Sequence, residues 1–88
     1  MATINSVLGE IDSKDLGFTL MHEHVMVAAS GLSIHYPDLL GPNREERAIE
    51  CLKTAKAHGI DTMLDATTFD LGRDPALLKT VAEASGVN

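Results

Sequence analysis

Residues 3–8 alternate apolar and polar side chains loosely, and residues 9–17 carry turn formers, so the start of the chain reads as a hairpin or extended arm. From Phe18 the order Phe-Thr-Leu-Met-His-Glu-His-Val-Met-Val is rich in strand formers and flanked by Gly17 and Gly31. It predicts a buried strand that changes character near its end. Residues 28–42 contain Gly31, Pro37, Gly41 and Pro42 and read as a long connection with one short helical turn at 36–40. Connections of this length tend to be functional.

The period then becomes helical. Asn43 is placed as an N-cap, Glu46 three residues later completes a capping-box pattern, and Ala48, Cys51, Leu52 and Ala55 make an apolar stripe. That helix is expected to run to about His58, with Gly59 as its stop. Residues 60–68 form a second strand candidate, too short for a helix between two breakers. Asp74 caps a second helix, Pro75 takes its first position, and Leu77, Leu78, Val81 and Ala82 supply its apolar face before Gly86 ends it. The order strand, helix, strand, helix predicts an α/β arrangement of parallel strands joined by right-handed crossovers. Two parallel strands leave edges unpaired and a face poorly covered, so the 88 residues read as one incomplete domain, a fragment whose next strand would begin at Gly86-Val87-Asn88.

Composition narrows the function. Thirteen acidic against seven basic side chains give a formal charge of −6 without a Lys/Arg cluster, and Phe18, Tyr36 and Phe69 with no Trp offer few stacking platforms. Nucleic acid is excluded as a partner on both counts. The apolar stretch at 25–29 is far shorter than the roughly 20 residues that cross a bilayer, and the start lacks the pattern of a signal peptide. The single Cys51 has no internal disulfide partner, which fits a soluble protein in the reducing cytoplasm.

The chemistry centres on His22-Glu23-His24. On a strand, side chains at i and i+2 share a face, so both imidazoles project together and Glu23 projects the other way. Two neutral imidazoles at that spacing make half of a site for zinc or a similar ion. His-x-His pairs also occur as hydrogen-bonded core residues, so the spacing by itself leaves both readings open. A helical His-Glu-x-x-His motif is excluded because position 26 is Met26, and Glu23 reads as a residue anchoring a helix or loop. Asp65 reads as either a buried structural acceptor or a group orienting a ligand histidine. Arg73 reads as a salt-bridge or loop anchor, His58 as a partner of the helix dipole, and Cys51 as core. His35 reads as an exposed loop histidine without a specific role, contact with substrate being the less favoured reading.

Gly17-Phe18-Thr19-Leu20-Met21-His22-Glu23-His24 resembles the opening motif of the phosphotriesterase family of the amidohydrolase superfamily, and Thr68-Phe69-Asp70-Leu71-Gly72-Arg73-Asp74 resembles its segment after the second strand. The resemblance implies the N-terminal part of a (β/α)8 TIM barrel with a binuclear metal centre, zinc first and manganese, cobalt or iron as alternatives. His22 and His24 would be the strand-one ligands, at the strand ends where such barrels carry their chemistry. A carboxylated lysine, two more histidines and an aspartate would come from later strands. The implied reaction is hydrolysis of a small-molecule ester, an organophosphate triester or a lactone, by a metal-activated hydroxide. The wording before Gly72-Arg73 leans toward the phosphotriesterase branch. Implied partners are the remainder of the barrel and, as in many family members, a second copy in a homodimer. The competing expectation is a non-catalytic barrel fragment that binds metal weakly or not at all; a small metal-binding protein of unrelated fold is a third.

Overall fold

The structure, a computed structural model, describes residues 2–88. The expected hairpin is present: β1 (Thr3–Ser6) pairs antiparallel with β2 (Gly9–Asp12) in the register Thr3↔Asp12 to Ser6↔Gly9. Val7 and Leu8 form the turn, and the Ser6 hydroxyl closes it by donating to the Gly9 carbonyl at 2.7 Å and accepting the Leu8 N–H at 3.2 Å. A 3-10 turn (Ser13–Asp15), whose Lys14 N–H is met by the Asp12 carboxylate at 3.0 Å, then redirects the chain.

β3 (Thr19–Glu23) and β4 (Thr62–Asp65) form a parallel pair, as the alternation of elements required. Between them come α1 (Leu32–His35), a 3-10 turn (Pro37–Leu40) and α2 (Arg44–Ala57). After β4 come a 3-10 turn (Phe69–Leu71) and α3 (Pro75–Ser85). The two long helices pack side by side, and Ala48 and Leu52 of α2 meet Leu77 and Val81 of α3 together with Val87. Val25, Met26, Ile49 and Met63 close over this core from the sheet side and the helix edge. Asn88 adds the two hydrogen bonds of a parallel bridge to the outer edge of β4, donating its N–H to the Asp61 carbonyl and accepting from Met63, each at 2.9 Å.

Four expectations change. The first helix is not capped by Asn43, whose φ of 55° puts it in the left-handed region with no side-chain cap bond. An N-cap side chain reaches back to the helix only from an extended backbone, so the capping box cannot close. Glu45 and Glu46 in the first turn supply the favourable charge instead. Cys51 is exposed, not core, because the buried line of α2 runs through Ala48 and Leu52, leaving Cys51 at the rim. The connection before α2 holds α1 as well as the expected turn. Arg73 is in no ion pair among the described residues; its backbone N–H bonds the Thr68 carbonyl at 3.3 Å. Asp74, by contrast, caps α3 as expected by accepting the Leu77 N–H at 3.1 Å, with Pro75 first in the helix and Gly86 left-handed after it.

Candidate metal centre

The sequence expects His22 and His24 to alternate regularly on one strand, but β3 is irregular at this point. Leu20 faces Met63 and Glu23 faces Asp65, so Met21 and His22 together stand opposite Leu64 alone. This is a β-bulge, a device that re-aims side chains where pairing ends. His24 lies just past the strand, where Asp65 Oδ2 accepts the Val25 N–H at 3.0 Å in place of a ladder partner.

The two rings nonetheless come together. Their centroids are 5.2 Å apart with the planes at 69°, and both side chains are exposed at the C-terminal end of the parallel pair. With metal–nitrogen bonds of about 2.0–2.1 Å and a tetrahedral angle, two imidazoles on one ion have centroids about 5 Å apart. The pair therefore fits half of a metal site. Among the described residues no group of three or more His, Cys, Asp or Glu side chains surrounds it, so the other half is not in these residues.

His24 is held by a residue the sequence reading passed over. Its Nδ1 is 2.9 Å from Oγ1 of Thr67, which is buried and lies just beyond β4. Asp65 in turn fixes Thr67, accepting its backbone N–H on Oδ1 at 2.8 Å. Burial works against ionising Asp65, but hydrogen bonds from the Thr67 side chain, the Val25 N–H and the Thr67 N–H, with the His24 ring nearby, outweigh it and hold the carboxyl below its ordinary range. The signal was present in Asp65-Ala66-Thr67, since an aspartate followed two residues later by an N–H it can accept is a recurrent turn. Asp65 thus reaches the histidine through Thr67 rather than directly.

Two loops frame this end of the sheet. Ala28 donates to the Leu71 carbonyl at 2.9 Å and Ser30 to that of Asp70 at 3.1 Å, which staples the segment after β3 to the segment after β4. Gly72 permits the approach: its φ is 85°, and an added Cβ would sit 3.1 Å from the Ala28 carbonyl oxygen. His24 also borders a groove of about 380 Å3 with Glu23, Met26, Arg44, Arg47 and Cys51. The Glu23 carboxylate pairs with neither arginine; it is its backbone carbonyl that anchors, accepting the Ala66 N–H at 2.9 Å. Neither histidine borders the larger trough of about 410 Å3, which runs between the hairpin residues Ile4 and Ile11 and the strand residues Met21 and Leu64. His35 and His58 stand apart from the pair, and His58 Nδ1 donates to the Thr54 carbonyl at 2.8 Å at the end of α2.

Comparison with known proteins identifies relatives of the chain. The sequence model of the Phosphotriesterase family matches residues 2–88. The chain is 40% identical over 90 residues to a phosphotriesterase homology protein of Mycobacterium tuberculosis, covering all of this chain and 28% of that protein. It is 39% identical over 79 residues to an aryldialkylphosphatase of Saccharolobus solfataricus, covering 89% of this chain and 25% of the relative. The solved phosphotriesterase from Mycobacterium tuberculosis superposes with a TM-score of 0.92 at 39% identity, over 99% of this chain and 28% of the other. A structure from the engineering of organophosphate hydrolysis activity from a weak promiscuous lactonase template gives 0.84 at 36% identity, over 98% and 27%. The chain therefore spans about a quarter of the length of the relatives it matches.

Proposed function

This chain belongs to the phosphotriesterase family, and on that premise we propose that it supplies the first metal-binding arm of a metal-dependent ester hydrolase, with His22 and His24 as ligands. The observation that carries the reading is the pair of exposed imidazoles, 5.2 Å apart, at the C-terminal end of a parallel strand. In a (β/α)8 barrel that end is where catalytic groups stand. The β3–α2–β4–α3 order makes the first two strand–helix units of such a barrel, and the edge of β4 already engaged by Asn88 is where a third strand joins.

A divalent ion held there, zinc or an ion of similar preference, would polarise the ester as a Lewis acid and bring the pKa of its bound water down toward neutrality. The chain's own residues bind and orient. His22 and His24 present two nitrogens, Thr67 and Asp65 fix one ring, and the stapled loops wall the site. The substrate class is a small ester, an organophosphate triester or a lactone, and the setting is the reducing cytoplasm that a single cysteine suits.

Metal content and hydrolysis of paraoxon-like esters and lactones test this in the full-length protein. His22→Ala and His24→Ala are each expected to reduce bound metal and to bring hydrolysis to background. Undiminished metal binding in the double variant removes the ligand assignment. One observation favours a second reading for residues 1–88 taken alone: no third metal-binding side chain joins the pair among the described residues. Two imidazoles leave an ion mostly solvated, so weak binding and no turnover are expected of these residues by themselves.

A further inference from the structure

We propose that Thr67 is a positioning residue that sets the tautomer of His24, holding the ring proton on Nδ1 so that Nε2 faces the metal side as a bare donor. The inference rests on the reading of His24 as a ligand and names what prepares it. Thr67 has one hydroxyl hydrogen and two lone pairs. Its oxygen stands 2.9 Å from Nδ1 of His24, and its backbone N–H is bound to Asp65 at 2.8 Å, which brings the carboxylate against the same side chain.

The hydroxyl hydrogen is assigned to the neighbouring Asp65 carboxylate, which the Thr67 N–H holds at 2.8 Å, because an ionised carboxylate is a stronger acceptor than a neutral imidazole nitrogen. Hydrogen bonding from the Thr67 side chain is among the influences that hold Asp65 ionised. With its hydrogen committed, the Thr67 oxygen can meet Nδ1 only as an acceptor, and the ring must donate. The remaining nitrogen, Nε2, is in no hydrogen bond among the described residues. Ligand histidines are typically fixed in this way through the nitrogen that does not bind the metal.

The arrangement is built for this, since Thr67 is buried at 8% exposure while the ring it holds is exposed. A buried hydroxyl has little freedom to reorient, and Asp65 is itself fixed by the Val25 N–H from the residue that follows His24. The order Asp65, Thr67, His24 therefore links the end of β4 to the end of β3 at the metal side.

The test uses the full-length protein with ring-15N histidine. In chelator-stripped protein, long-range proton–nitrogen correlation at neutral pH is expected to show His24 protonated on Nδ1, a measurement that needs no variant. Thr67→Val keeps the volume and removes the hydroxyl. It is expected to populate the Nε2–H form and to weaken zinc binding, measured by chelator competition, about 10–100-fold. Thr67→Ser is expected to restore both. His24 protonated on Nε2 in the unaltered protein, or zinc affinity unchanged in Thr67→Val, overturns the proposal. His24→Ala separates the two readings. If it weakens zinc binding while Thr67→Val does not, the ligand stands and the positioning role falls; if it leaves zinc binding unchanged, the ligand assignment falls and takes the positioning role with it.

Discussion

Asp61 Oδ2 accepts the backbone N–H of Phe18 at 3.0 Å, tying the residue just before β4 to the residue just before β3. Asp65 does the same at the opposite end of β4, taking the N–H of Val25 just past β3. Two carboxylates thus bracket a short parallel pair whose ladder is broken by a bulge, and each gives a backbone N–H at one end of the pair its partner. Lys56 joins the lower bracket, its Nζ 3.1 Å from Asp61.

The lower bracket makes stability depend on acid. The Phe18 N–H and the Lys56 ammonium hold the Asp61 carboxyl below its ordinary value of 3.8. A depressed pKa in the folded state contributes stability that is complete above the unfolded value and is lost as pH falls through the folded one. Urea unfolding measured from neutrality down through the carboxylate range is expected to show a steeper loss in the unaltered protein than in Asp61→Asn. Parallel profiles for the two would show that this bracket plays no part.

Gly17 is the position most sensitive to an added methyl group. Its φ is 63°, and a Cβ there would fall on the Asp61 side chain. Gly17→Ala is expected to cost the roughly 1–2 kcal/mol of a left-handed non-glycine residue and the lower bracket besides. Gly59 also has a positive φ, 99°, but open space around it, so Gly59→Ala should cost less. The order of the two urea midpoints decides the matter.

Neighbouring residues on α2 should respond in opposite ways. Leu52 is buried in the core beside Leu77 and Val81, and Leu52→Ala is expected to lose about 2–5 kcal/mol. Cys51 is exposed, so Cys51→Ser should stay within about 0.5 kcal/mol. Native-state titration with a thiol reagent is expected to modify Cys51 without unfolding; a silent thiol would place it in the core after all.

The two long helices start differently and should answer cap removal differently. Asp74→Ala removes a real cap and is expected to cost about 0.5–2 kcal/mol. Asn43 makes no cap bond and holds φ at 55°, so Asn43→Gly should be neutral within a few tenths of a kcal/mol or stabilise slightly. Equal losses at both sites, read from thermal midpoints, would restore the capping-box reading of Asn43.

The sequence by itself determined what short-range physics determines. The hairpin, the alternation of strand and helix, the Asp74-Pro75 start and Gly86 stop of α3, and the pairing of His22 with His24 all depend on residues within about ten positions of one another, where turn chemistry, side-chain period and caps act. The tertiary structure decided the rest. The bulge at Met21 and His22, the grip of Thr67 on His24 and the brackets made by Asp61 and Asp65 join residues about forty positions apart, and Cys51 is exposed because of where α3 lies. No local pattern encodes such contacts, because which donor meets which acceptor is settled only when β4 is laid beside β3 and each N–H that leaves water must find a partner.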